Sequence, residues 1–170
     1  MPLHRAAENG NPTCLEWVIN KWAEHNKPLP IDVLDSNGNT ALYLCCMKGY
    51  LGGQGMENTL AQDKRLQCVH ILLSQGANIN FKTEKLKMTC LHWAAYQGDA
   101  RLVELLLDKY AVQTVTTFDI APVDIAGFCG NTDAVLSFCK HFEKTFTKML
   151  TGAGMASMMG GGMFGGGNQN

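Results

Sequence analysis

Apolar residues along this chain recur at helical spacing in short runs, and the runs come in pairs separated by a tight polar turn. The clearest pair spans residues 89–107. Leu102, Leu105 and Leu106 fall on one face of a helix, with Asp99 placed as its N-cap. Before them, Cys90-Leu91-His92-Trp93-Ala94-Ala95-Tyr96-Gln97 reads as a shorter helix whose alanine pair lets a neighbouring helix approach closely. Gly98 permits the turn between the two. The pattern predicts a helix-turn-helix hairpin.

The same pattern occurs four times. Pro2-Leu3-His4, Ala41-Leu42-Tyr43, Cys90-Leu91-His92 and Pro122-Val123-Asp124 each precede a pair of small residues, and a glycine follows seven residues after the aliphatic one, at Gly10, Gly49, Gly98 and Gly130. Counting on from Gly10 gives Cys14, Leu15, Trp17, Val18 and Ile19, with Asn11 as cap and Pro12 at the first helical position. From Gly130 the count gives Ala134, Val135, Phe138 and Cys139. In the second unit the outer helix ends in Cys68, Val69, Ile71, Leu72 and Leu73, followed by Gly76-Ala77-Asn78-Ile79-Asn80. A fixed internal interval of this kind predicts a stack of units that binds through its surface.

These residues resemble the ankyrin repeat, whose pattern is T-P-L-H-x-A-A-x-x-G, then V-x-x-L-L-L, then G-A-x-x-N and a D-x-x-G-x-T turn. That turn appears as Asp35-Ser36-Asn37-Gly38-Asn39-Thr40. The resemblance covers residues 1–142 and implies an all-α solenoid with short β-hairpin-like finger loops between hairpins. The expected units are 1–34, 35–83, 84–115 and 116–148, forming one domain over 1–148. His4, Gly10, Gly38, Thr40, Gly49, Gly76, Thr89, His92, Gly98 and Gly130 are then motif residues with structural roles, and Thr89 and His92 are expected to exchange a hydrogen bond.

Departures from regularity locate the variable parts. The units begin at residues 2, 41, 90 and 122, so the spacings are 39, 49 and 32, against roughly 33 for a regular unit. Pro28 and Pro30 argue for an extended finger in the first gap. Leu51-Gly52-Gly53-Gln54-Gly55 breaks any helix in the second, so an insertion over 50–64 is expected as a loop. The first unit lacks a polar cap, which suggests a piece of a longer array. Residues 149–170 become rich in Gly and Met and are expected to form a disordered tail, with contact to hydrophobic clients as a secondary role.

Composition narrows the chemistry. A formal net charge of −1 and the lack of a basic stripe exclude a polyanion partner such as nucleic acid. The seven cysteines form no C-x-x-C pair and read as reduced packing residues, neither disulfide framework nor zinc knuckle. No secretory signal and no run of the roughly 18–20 apolar residues needed to span a membrane is present. A cytoplasmic or nuclear setting, a monomer and no membrane insertion by this segment are expected. Cys90-x-His92 without a second pair is too weak for a metal site, and G-x-S-x-G, H-E-x-x-H and phosphate-loop motifs are absent. The expectation is no enzyme, no cofactor and no metal.

In the ankyrin architecture the first and fourth positions after the histidine slot face the concave groove. They read Arg5 and Glu8, Leu44 and Met47, Trp93 and Tyr96, Ile125 and Phe128. The set changes from charged to apolar and aromatic along the stack. Leu44, Met47, Trp93, Tyr96, Ile125 and Phe128 are therefore the candidate partner-binding residues, with packing on the fingers as the alternative for Leu44, Trp93 and Ile125. The expected function is a non-catalytic adaptor that binds a protein or peptide. The alternative is a regulatory or substrate-recruiting segment of a larger enzyme or channel, since Leu91-His92-Trp93-Ala94-Ala95 also resembles a phrase in ankyrin-type palmitoyltransferases. No Asp-His-His-Cys motif accompanies it.

Overall fold

The computed structural model describes residues 1–25, 29–48 and 59–151. Among them are eight helices and no strand: α1 (Pro2–Glu8), α2 (Pro12–Glu24), α3 (Ala41–Met47), α4 (Thr59–Ser74), α5 (Cys90–Gln97), α6 (Ala100–Asp108), α7 (Pro122–Phe128) and α8 (Thr132–Thr151). They form four antiparallel hairpins. The short inner helices stack in the order α1, α3, α5, α7, and each packs on its own outer helix, α2, α4, α6 or α8. The all-α solenoid expected from the sequence is the observed fold.

Close stacking follows from residue size. Ala7, Cys46, Ala94, Ala95 and Ala126 are fully buried where inner helices meet, and Leu15, Leu42, Leu72, Leu91, Leu102 and Leu106 fill the space behind them. Pro12 and Pro122 sit at helix starts, where the missing N–H costs nothing. Asn11, Thr40 and Asp99 cap with side-chain oxygens, accepting from the N–H groups of Cys14, Tyr43 and Leu102. Gly98 ends α5 at φ +72°, and a β-carbon there would lie 2.7 Å from Asn131 Cγ. Both conformation and space demand glycine.

The histidine slot is filled in four ways. The backbone N–H of Thr89 donates to His92 Nδ1 at 3.1 Å, and the Thr89 hydroxyl lies 2.8 Å from the same nitrogen. This is the expected exchange. His4 instead reaches the following finger, its Nε2 lying 2.9 Å from the carbonyl of Val33. Asp124 accepts the Ala121 N–H at 3.0 Å, so a carboxylate does the work of the imidazole. Tyr43 is buried against the rings of Phe81 and Trp93.

Three fingers join the hairpins, each closed by one side chain that accepts from its own turn. Asp35 Oδ1 takes the N–H groups of Asn37 and Asn39 in the first. Thr83 Oγ1 takes that of Met88 in the second, and Thr116 Oγ1 takes those of Phe118 and Ile120 in the third. Finger bases are tied together: the Asp32 carboxylate accepts from Asn78 N–H, and Asn80 Oδ1 from Val112 N–H.

Four expectations need correction. Residues 59–64, read as loop, are the first turns of α4, because the glycines end at Gly55 and helix-forming residues follow. Arg101 anchors them, donating to Asp63 at 2.7 Å and Gln62 at 3.0 Å. Helix α8 continues to Thr151, three residues into the expected tail, carried by good helix formers and the stacked rings of Phe142 and Phe146. Trp17, expected in the apolar set of α2, is exposed, since α2 buries only Leu15. Cys45, Cys46, Cys68 and Cys90 are buried packing residues, but Cys14, Cys129 and Cys139 are exposed on α2, at the end of α7 and on α8. Pro28, Gly49, positions 50–58 of the insertion and residues 152–170 lie outside the described residues.

Candidate partner-binding face

The outward side of the inner helices changes character from one end of the stack to the other. At the α1 end it is charged: Glu8 pairs with Arg5 at 3.4 Å within the helix and with Lys48 at 3.4 Å across to the second hairpin. The first pair is exposed and adds little to stability, while the second is partly buried between the two hairpins. Further along, the face becomes aromatic. Trp93 stands edge-on to Tyr43 at 6.4 Å and to Tyr96 at 5.9 Å, and Tyr43 continues to Phe81 at 5.9 Å. Such geometry favours ring pairs beyond the area they bury.

Of the six residues expected to meet a partner, exposure separates three kinds. Leu44 is only 6% exposed, so it belongs to the core. It follows Tyr43 on α3, which lies between α1 and α5 and has little free side. Met47, Trp93 and Ile125 are half-buried, with Met47 and Trp93 packed on the core. Tyr96 at 36% and Phe128 at 83% are open to solvent. Since α5 packs on α7, the two rings occupy matching places on adjacent helices. Sequence reasoning missed Tyr43 and Phe81 as supports of Trp93. The signal was an aromatic residue standing in the histidine slot.

The frame holding this face is a ladder of side-chain amides. Gln97 Nε2 donates to the carbonyl of Cys46 at 2.7 Å, at the end of α3, while its oxygen accepts from Arg65 at 2.7 Å. Asn131 Nδ2 donates to the carbonyls of Ala95 and Tyr96, both at 2.9 Å, at the end of α5. Each amide thereby ties its own repeat to the last carbonyls of the preceding inner helix. Beneath the ladder the Asp99 carboxylate, 6% exposed, sits 3.8 Å from the Arg65 guanidinium.

His92 marks the finger side of the groove. Burial holds its imidazole below the ordinary value, and the backbone of Ile120 and Thr114 on the third finger pulls it partway back. Among the described residues no group of three or more His, Cys, Asp or Glu is placed to hold a metal ion. No helix of the described residues is long and apolar enough to cross a membrane. An open cleft of about 590 Å³ lies on the first hairpin, lined by Pro2, Ala6, Cys14, Trp17 and Val18 among others.

A family profile described as "Ankyrin repeats (3 copies)" matches residues 58–148, and a second, "Ankyrin repeats (many copies)", matches residues 3–52. The chain is 33% identical over 109 residues to Inversin of Danio rerio, covering 64% of this chain and 8% of that protein. It is 32% identical over 106 residues to NF-kappa-B inhibitor alpha of Sus scrofa, covering 62% and 29%. Similarity to the Ankyrin repeat and KH domain-containing protein mask-1 of Caenorhabditis elegans is 28% over 123 residues, covering 62% and 4%. The chain therefore spans less than a third of the length of these curated relatives.

Proposed function

The chain belongs to the ankyrin repeat family, and from that premise we propose that it is a non-catalytic adaptor that binds a protein or peptide through its concave inner-helix face and fingers. The observation that carries this reading is the pair Tyr96 and Phe128, two exposed rings on adjacent helices, with Tyr96 backed by the half-buried Trp93. Exposed aromatic residues set on a rigid frame are the kind that dominate binding energy once a partner covers them. Little conformational freedom is lost when the frame is preformed. One relative is named as an inhibitor of NF-kappa-B, a protein target, which supports a protein partner here as well. A monomer in the cytoplasm, with the nucleus as the other setting, completes the proposal, and the four buried free thiols suit a reducing compartment.

Affinity capture from native lysate tests it, comparing the intact chain with a Tyr96→Ala, Phe128→Ala variant shown by circular dichroism to be folded. A partner retained by the intact chain and lost by the variant is the expected result. Equal capture by both removes the concave face from the proposal.

The apolar cleft on the first hairpin and the small share of each relative covered favour a second reading, in which the repeats recruit substrates or regulate within a larger protein. An antibody raised against the repeats separates the two. A native species near 18.6 kDa supports the adaptor, and a much larger one supports the recruiting segment.

A further inference from the structure

The second and third fingers together combine left-handed backbone on non-glycine residues, exposed apolar side chains and a group of lysines. In the first finger and at the end of α4, left-handed backbone falls on glycine, at Gly38 and Gly76. In the later fingers and at the end of α6 it falls on Lys87 at φ 54°, Tyr110 at φ 64° and Asp119 at φ 56°. These are the non-glycine residues with positive φ among the described residues. Large side chains held in that conformation are costly and cluster where a surface is used. The same stretch exposes apolar side chains: Leu86 is 45% and Phe118 71% exposed, with Val115 beside them in sequence. Finally, Lys82, Lys85 and Lys87 surround Leu86 in the chain, and none forms an ion pair among the described residues.

One hydrogen bond makes these features a single surface. The Thr117 N–H donates to the carbonyl of Leu86 at 3.1 Å, joining the tip of the third finger to that of the second. Leu86 and Phe118 are thus brought to one edge of the molecule, each held by a turn closed through Thr83 or Thr116.

We propose that these joined tips dock an acidic peptide that carries a large apolar side chain. The apolar group seats between Leu86 and Phe118, and the acidic groups pair with Lys85 and Lys87. The proposal rests on the reading of this chain as an interaction module and assigns its finger surface a partner chemistry. Glu84 and Asp119 share the tips, leaving a net charge of +1 across these five groups. So small a surplus gives little attraction to an anionic membrane, where each basic residue contributes separately. It suffices for a peptide that places its carboxylates beside particular lysines.

Fluorescence anisotropy with a fluorescein-labelled peptide of alternating Glu and Leu tests the proposal. The intact chain is expected to bind it and to ignore the Lys and Leu counterpart. Leu86→Ser, Phe118→Ser and Lys85→Glu, Lys87→Glu variants should each bind about tenfold more weakly. All four positions are exposed, and circular dichroism verifies that these variants fold. A Leu136→Ser variant, exposed on α8 and outside both surfaces, should bind as the intact chain does. No binding by the intact chain, or undiminished binding by the finger variants, overturns the proposal. Loss confined to the Tyr96 and Phe128 variant moves the peptide to the concave face and overturns it while leaving the adaptor reading intact. Sedimentation with phosphatidylserine vesicles through Leu86 and Phe118, without peptide binding, assigns the tips to a membrane and also overturns it.

Discussion

Tyr110 occupies a place built for glycine. At the end of α4, Gly76 N–H donates to Leu73 and Ala77 N–H to Leu72. At the end of α6 the same pair of bonds runs from Tyr110 to Leu107 and from Ala111 to Leu106. The hydrogen bonding is unchanged, so Tyr110 bears the cost of left-handed backbone without local return. Its side chain is 87% exposed and gives no packing in exchange. Tyr110→Gly should therefore stabilise the fold by about 1 kcal/mol, read as a higher urea midpoint at unchanged slope. A lower midpoint would mean the ring makes a contact that matters. The motif glycines were legible in the sequence because Gly is the ordinary answer to a positive φ. Asp119 was only weakly legible, since Asp tolerates a left-handed turn, and Lys87 and Tyr110 were not, since nothing in their chemistry announces one.

At the scale of elements, inner helices and fingers depend on each other through the histidine slot. Neutral His92 accepts from Thr89 through Nδ1, and protonation would abolish that acceptor inside a buried site. Burial depresses its pKa in the fold, so near pH 6.5 the unfolded chain takes up a proton that the folded chain refuses. The resulting stability is complete above about pH 6.5 and is lost as pH falls toward the folded value. Thermal melts at about pH 7.5 and pH 5.5 should show a drop in Tm that becomes smaller in His92→Gln. An identical drop in both would place the proton elsewhere. Pairing of Thr89 with His92 could be read from their spacing alone. The reach of His4 to Val33 could not, because it depends on where the next finger lands. The first turns of α4 were hidden for a related reason: their anchor, Arg101, belongs to another hairpin.

For the whole molecule, cohesion comes from contacts between neighbours, with no single centre. Repeat spacing made the stacking legible, and the small residues of the inner helices made it close. The amide ladder was not legible, because Gln97 and Asn131 look like ordinary polar residues until the preceding helix end lies beneath them. Asn131→Ala leaves the carbonyls of Ala95 and Tyr96 without this partner and should cost about 1–2 kcal/mol. In a solenoid that loss acts at one junction. Hydrogen exchange should therefore quicken in α7 and α8 well before α1 to α4. Uniform quickening across all hairpins would show that the four repeats fold as one unit.

The ladder also gives the stack a direction. Each rung belongs to a later repeat and grips an earlier one, so the two ends of any break are not equivalent. Removing the last repeat uncovers the carbonyls of Ala95 and Tyr96 at the end of α5, whereas removing the first two uncovers the side-chain amide of Gln97. A break at either of these two joints therefore shows acceptors on the earlier repeat and a donor on the later one, so the two cut faces offer a newcomer opposite chemistry.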